Sequence, residues 1–219
     1  MHIPRPAPAA STPDRLLDAA ERLFAQRGYR GTSVREITAS AGSNVASVTY
    51  HFRGKEGLYH EMFLRRLRAL SERRVDSIRG AMIGARGGEA VERVLRAFAR
   101  AWLQPLDDEG GQHLVDLMSR ELAEPHLPPD LFAREMLEPV EDALSGALRR
   151  LDPRLDDTAA RRCAHAFVAQ LVHITNLRRH LGRRRGRQEG SNLFDQEAMT
   201  EHAIRFSVAG VQACAGGRR

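Results

Sequence analysis

The sequence predicts an all-α protein: an N-terminal three-helix domain of helix-turn-helix type joined to a larger C-terminal helical domain. Three observations carry this. Apolar stripes along the chain repeat at spacings of three and four, and no segment alternates with the period of a strand. Helix start and stop signals recur between those stripes. Two short helical segments near the N-terminus are separated only by a tight Ala41-Gly42-Ser43 turn.

The elements follow in order. Thr12-Pro13 predicts a helix start, a hydroxyl cap followed by proline at the first helical position. Leu16, Leu17, Ala20, Leu23 and Phe24 form its apolar face, and Gly28 ends it. Ser33-Val34-Arg35-Glu36 reads as a capping box opening a second helix, with Val34, Ile37 and Ala41 inward. Asn44 caps a short third helix with Val48 inward and Phe52 closing it. A fourth spans about Lys55 to Arg79, burying Leu58, Met62, Leu67 and Leu70. After a Gly80–Gly88 break come helices at Glu89–Leu103 and Gly111–Ala123. A seventh runs from about Asp130 to Leu151, and Pro139 inside it should kink or split it. An eighth, Asp156–Leu181, carries the stripe Ala159, Cys163, Ala166, Phe167, Gln170, Ile174 and Leu177, and a last one spans Gln196–Ala213. The expected organisation is a disordered arm over 1–12, a head over 13–58, a larger domain over 59–214 and a flexible tail over 215–219.

Composition narrows the function classes. The formal net charge is +6, which makes a polyanionic partner reasonable, but 28 acidic residues accompany 34 basic ones, too many for a nucleic-acid condenser. Cys163 and Cys214 lie far apart with no metal-ligand spacing, and the nine histidines form no paired-ligand pattern, so neither metal nor cofactor is expected. No apolar run reaches transmembrane length, and the proline- and alanine-rich start lacks an apolar signal core. The expectation is a cytoplasmic protein without a membrane partner.

Gly28–Leu58 is the segment with chemistry. A helix-turn-helix inserts its second helix N-terminus first into the major groove, so that helix needs short side chains to let its backbone approach the bases. Asn44-Val45-Ala46-Ser47-Val48-Thr49-Tyr50 meets that demand. Val45, Ala46, Ser47 and Thr49 are the base-edge candidates, since their methyl groups suit thymine and hydroxyls serve several bases. Tyr50, His51 and Lys55 suit phosphate oxygens, as do Ser33 and Arg35 at the front of the preceding helix, while Asn44 sits at the entry of the reading helix. Lys55 is the sole lysine in the chain; every other formal cation is arginine.

The stretch LLDAAERLFAQRGYRGTSVREITASAG, then the short helix, then YHFRGKEGLY, resembles the TetR family of bacterial transcriptional repressors over about residues 13–60. The Asn-Val-Ala-Ser-Val-Thr-Tyr-His-Phe helix with KEGLY after it is similar to the CecR-like branch, as is Arg120-Glu121-Leu-Ala-Glu-Pro125. Departures are Ser43 in place of an apolar turn residue, Gly54 in place of a serine cap, Gly57 in place of an acidic residue, and Thr49 in place of a tyrosine. A glycine cap costs only a few tenths of a kcal/mol, so Gly54 should be tolerated.

The resemblance implies a homodimer that binds a palindromic double-stranded DNA operator and is released by a small-molecule effector. It implies a C-terminal ligand-binding and dimerisation domain in which the last two long helices of each subunit pack as a four-helix bundle, with Ala159, Ala166, Ala203, Ala209 and Gly210 permitting close approach. It implies an effector cavity among helices four to eight, with Phe98, Trp102, His113, Leu114, Leu117, Met118, Arg120, Phe167 and His173 as candidates that can equally be core. Cys163 and Cys214 fall on the two implied interface helices as a redox pair or as inert small hydrophobes. The run Arg178–Arg187 is either a DNA-touching segment or solvated loop charge. Two other classes compete with the repressor: a sequence-indifferent basic architectural protein, whose binding would follow charge alone, and a small helical enzyme, for which no catalytic constellation argues.

Overall fold

The computed structural model describes residues 11–86, 89–107, 109–182 and 195–216. The expected arm through residue 10, the arginines at 183–187 and the tail at 217–219 lie outside the described residues. Among those described, the chain is all-α: α1 Thr12–Arg27, α2 Val34–Ser40, α3 Val45–Phe52, α4 Lys55–Met82, α5 Glu89–Leu103, α6 Glu109–Ala123, α7 Glu138–Leu151, α8 Asp157–Gly182 and α9 Gln196–Gly216. A 3₁₀ turn covers Gln104–Asp107, and a π turn covers Ala133–Leu137.

Local chemistry sets most boundaries. The capping box is formed: the Ser33 hydroxyl accepts from Glu36 N–H (3.3 Å), while Ser33 N–H donates back to the Glu36 carboxylate (2.8 Å). The Ser33 N–H, and then the Ser33 hydroxyl, donating to the Glu36 carboxylate hold it below its ordinary pKa, with Arg27 as a lesser cause. Asn44 Oδ1 accepts from Ser47 N–H at 2.9 Å and starts α3. The start of α1 falls one residue earlier than Thr12-Pro13 predicts. Ser11 is in the extended conformation and its hydroxyl accepts from Asp14 N–H (3.3 Å), so Thr12 is already helical and Pro13 stands in the first turn.

Pro139 also acts as a boundary. It lacks an N–H and crowds the carbonyl four residues back, so the helical run from Leu131 to Leu151 is not α throughout. The backbone widens into the π turn at Ala133–Leu137, and α7 begins at Glu138 with Pro139 in its first turn.

The chain divides into two compact units. The first takes the described residues through Leu67 together with Glu109–Pro129. Here α1 packs on α2, α3 and α6. Leu16, Phe24, Ile37, Val48, Leu58, Met62, Phe63, Leu114 and Leu117 are buried at its centre, whereas Val34 and Leu23 are only partly covered. The Tyr59 ring meets Phe24 edge-on (4.9 Å between centroids) and Phe63 likewise (5.0 Å). Truncating one such buried aromatic typically costs about 3–5 kcal/mol.

The second unit holds Arg68–Asp108 and Asp130–Arg219, with α8 packed on both α7 and α9, and α5 on α7, α8 and α9. Val94, Leu95, Phe98, Val140, Leu144, Phe167, Leu171, Ile204 and Val211 are its core. The buried stripe of α8 is Ala160, Ala164, Phe167, Val168, Leu171 and Ile174, rotated from the one its sequence predicts. Ala166 is exposed and Ala159 and Gln170 are at the flank, because α7 and α9 cover the adjacent face. Arg96 bridges α5 to α9 by pairing with Glu92 (2.7 Å) and Glu201 (2.9 Å), and Gln170 donates to Ser207 Oγ (3.1 Å).

Candidate functional site

In the first unit α3 buries one side and offers the other. Val48 and Phe52 pack inward. Val45, Ala46, Thr49, Tyr50 and His51 are exposed, with Tyr50 at 83%. An 83% exposed tyrosine has no packing role, and its ring meets that of His51 edge-on at 4.8 Å. Ser47 is half-buried, and its hydroxyl donates to Asn44 Oδ1 (3.0 Å). Ser33, Arg35 and Asn44 are exposed; the Ser33 hydroxyl is already bonded to Glu36 (2.8 Å). All nine of these candidates, and Lys55 with them, fall in one unit.

The turn between α2 and α3 is braced from α1. Arg15 Nε donates to the Ala41 carbonyl (3.2 Å), satisfying an acceptor that the end of α2 leaves open. Arg27 pairs with Glu36 (2.5 Å), and Ile37 is fully buried. Ser43, a polar residue at an apolar position, donates its backbone N–H to the Thr38 carbonyl (2.9 Å).

The α3–α4 junction corrects the expectation for its glycines. Gly54 has φ +129°, a conformation closed to residues with a Cβ, so it is not a serine cap weakly replaced. A Cβ on Gly57 would lie 1.9 Å from the Phe52 carbonyl oxygen. Both glycines are required by how tightly α4 is joined to α3. Arg53 caps α3 in the left-handed conformation (φ 61°) and is exposed. It is a cation beside α3 that the sequence did not single out, although the Phe52-Arg53-Gly54-Lys55 stretch put it in view.

Lys55 is half-buried, and its Nζ lies 4.2 Å from the centre of the Tyr29 ring. Desolvation lowers its pKa, with Glu36 opposing. Tyr29 in turn meets His126 at a tilt (4.3 Å between centroids) and Tyr59 edge-on (4.9 Å). Tyr59 donates to Glu121 Oε2 (3.0 Å), and the backbone N–H groups of His126 and Leu127 donate to Glu121 Oε1 (2.5 and 2.6 Å). Glu121 is therefore a buried carboxylate with a full set of donors, and burial first, then Glu121, raises the Tyr59 pKa. The lysine reaches α6 through rings, which no spacing in the sequence reveals.

The candidate effector residues separate. His113, Leu114, Leu117, Met118 and Arg120 lie on α6 in the first unit. Leu114 and Leu117 are buried core, His113 and Met118 are half-buried, and Arg120 is exposed with Nη1 3.3 Å from where a Cβ on Gly28 would stand. Phe98, Trp102 and Phe167 lie in the second unit as one aromatic cluster, with centroids 5.7 and 6.0 Å apart from Phe98. His173 is exposed beside the exposed Val172. Two surface concavities of about 380 and 370 Å³ are lined by Gly146, Arg149, Arg150, Pro153 and Leu155, and by Pro153–Asp156 with Ala215 and Gly216. Neither contains a candidate residue. Burial, followed by the neighbouring Cys214, pushes the Cys163 thiol up to about 11, so its thiolate is scarce at neutral pH.

Among the described residues no cluster of three or more His, Cys, Asp or Glu could hold a metal ion, and no helix is long and apolar enough to cross a membrane.

Residues 16–62 match the family model of bacterial regulatory proteins, tetR family, and residues 91–211 match the C-terminal domain of the HTH-type transcriptional dual regulator CecR. The head is 50% identical over 52 residues to the probable HTH-type transcriptional regulator YttP of Bacillus subtilis, covering 24% of this chain and only 25% of that protein's length. A second B. subtilis protein, the HTH-type transcriptional regulator YvkB, is 25% identical over 206 residues, covering 92% of this chain and 98% of its own. The fold is shared with SmeT, the repressor of the Stenotrophomonas maltophilia efflux pump SmeDEF, at a TM-score of 0.66 and 18% identity, covering 92% of this chain and 90% of SmeT. With the head matched by one model and more than half of its length by the other, the chain belongs to the TetR family of bacterial regulatory proteins.

Proposed function

We propose that the protein is a CecR-like, ligand-responsive repressor that binds a palindromic operator as a homodimer and releases it when a small-molecule effector occupies the second unit. The observation that carries the DNA reading is the exposed face of α3, where Val45, Ala46, Thr49 and Tyr50 are uncovered without packing partners to explain them. Val45, Ala46, Ser47 and Thr49 read base edges, and Ser33, Arg35, Asn44, Tyr50, His51 and Lys55 hold the backbone. Arg53 joins the phosphate contacts.

The dimer face is α8 with α9. Ala166, Val172 and His173 on α8 and Phe206 and Ala209 on α9 are exposed, and Phe206 is 64% uncovered. Large apolar side chains left open on adjacent helices are the mark of an interface. His173 fits there better than in an effector cavity. Two heads related by a two-fold axis must meet grooves about 34–36 Å apart, one helical turn. An effector that binds better to an arrangement with another head spacing shifts the population off DNA.

Selection of bound sequences from a random DNA pool tests this. The expected result is a two-fold symmetric motif with half-sites one turn apart; a pool that stays random after repeated rounds contradicts the reading.

A further inference from the structure

The second unit buries a cation that the protein does not neutralise. Arg74, on α4, is 5% exposed, and among the described residues its Nε and Nη1 groups have no hydrogen-bond partner. Its guanidinium carbon lies 3.6 Å above the Trp102 ring. Burial, followed by the like charge of Arg73, lowers its pKa to about 9. An unpaired buried charge is among the most costly features a core can hold, and stacking on one indole recovers only part of that cost.

The groups around it are aromatic. Trp102 packs against Phe98, and Phe98 against Phe167. The Trp102 N–H is already donated to Thr175 Oγ1 (3.2 Å), so it does not compete for an incoming acceptor. Thr175 in turn donates to the Leu171 carbonyl (2.9 Å). One turn before Arg74 on the same helix, Ser71 is buried as well.

We propose that Arg74 is the anion receptor of the effector site, and that the effector is a hydrophobic monocarboxylate whose carboxylate takes the free N–H groups of Arg74 beside Trp102, Phe98 and Phe167. This rests on the reading that the second unit receives a small-molecule effector. Charge decides the class. A cationic ligand would be repelled by the guanidinium, and a neutral one would leave it unpaired. A dianion would bring more charge than one arginine neutralises. A carboxylate matches guanidinium geometry and supplies one compensating charge.

Trp102 is the only tryptophan of the chain, so its emission reports directly on this stack. The test titrates the full-length protein with 4-phenylbutyrate, 4-phenylbutanol, 4-phenylbutylamine and 4-phenylbutyl phosphate, following tryptophan emission and thermal stabilisation. The expected result is that the carboxylate shifts the emission and binds at least about 10-fold tighter than the other three, a difference of one decade in Kd. Arg74→Met should abolish that preference while leaving the alcohol's binding unchanged, and Arg74→Lys should restore part of it. Arg74→Met should keep the wild-type helical circular dichroism and an equal or higher Tm, since it removes an uncompensated buried charge. Equal binding of alcohol and carboxylate, preference for the amine or phosphate, no binding by the carboxylate, or undiminished carboxylate binding by Arg74→Met would each overturn the proposal. Loss of dimerisation in Arg74→Met without any carboxylate preference in the wild type would give the arginine to a subunit contact instead. Retention of the selected DNA against random competitor is scored separately. If that retention holds while the carboxylate fails, only the receptor is refuted. If the carboxylate binds but no DNA is retained, the regulator reading falls and the receptor stands.

Discussion

Among the described residues each unit buries one charged side chain, and the two are treated in opposite ways. Glu121 in the first unit accepts from the Tyr59 hydroxyl and from two backbone N–H groups. Arg74 in the second has two nitrogens with no acceptor and only an indole face for company. A fully bonded charge is structure: it fixes the loop after α6 against Tyr59. An unbonded one is spare capacity, retained at a cost in stability.

The sharpest way to break this comparison is to delete both charges and compare signs. Glu121→Leu strands three donors and should cost about 3 kcal/mol or more in urea denaturation. Arg74→Met should be neutral or stabilising by about 1 kcal/mol or more. Equal losses in both would mean that Arg74 is as structural as Glu121.

The α3–α4 junction gives the next effect in size. Gly57→Ala drives a methyl into the Phe52 carbonyl and should destabilise by about 1–3 kcal/mol while weakening operator binding. Gly80→Ala, in the same helix with nothing within 4 Å of its Cβ, should be neutral or stabilising by up to about 1 kcal/mol. Equal effects would remove the steric argument.

On the reading face, Val45→Ala or Ser47→Ala should redistribute affinity among operator variants by about 1–3 kcal/mol for each base they read. Lys55→Ala should weaken all sequences alike and reduce the salt slope by about one counterion. Fluorescence anisotropy at several salt concentrations separates the two behaviours. The smallest effect belongs to Arg53→Gly. Relief of the left-handed conformation should add about 1 kcal/mol or less to stability while operator affinity falls. A rise in both would exclude Arg53 from the phosphate contacts.

What the sequence discloses is local. Most caps and inward positions of α1 to α4 were legible because each depends on residues within one or two turns, as at Ser33 with Glu36 and Asn44 with Ser47; the α1 cap one residue early and the part-covered Leu23 and Val34 are the exceptions. The exposed face of α3 was legible for the same reason. The stripe of α8 was misjudged by a rotation because Ala159, Cys163 and Ala166 are apolar enough to line either side, and only the packing of α7 and α9 chooses. Gly54 and Gly57 read as losses of family side chains, whereas backbone geometry makes them requirements. Arg74 was invisible: in sequence it is one arginine among many, and its meaning comes entirely from burial beside Trp102. The grouping of α6 with α1 likewise depends on contacts across some ninety residues of chain.

The most direct measurement of the central claim, that α3 reads DNA sequence, is a competition shift assay on the region upstream of the protein's own gene. With a large excess of random DNA present, the wild type should hold that fragment, and Tyr50→Ala with Lys55→Ala should release it. A complex that disappears in proportion to added random DNA, at the same rate for wild type and variant, would contradict the account and leave only charge-driven binding.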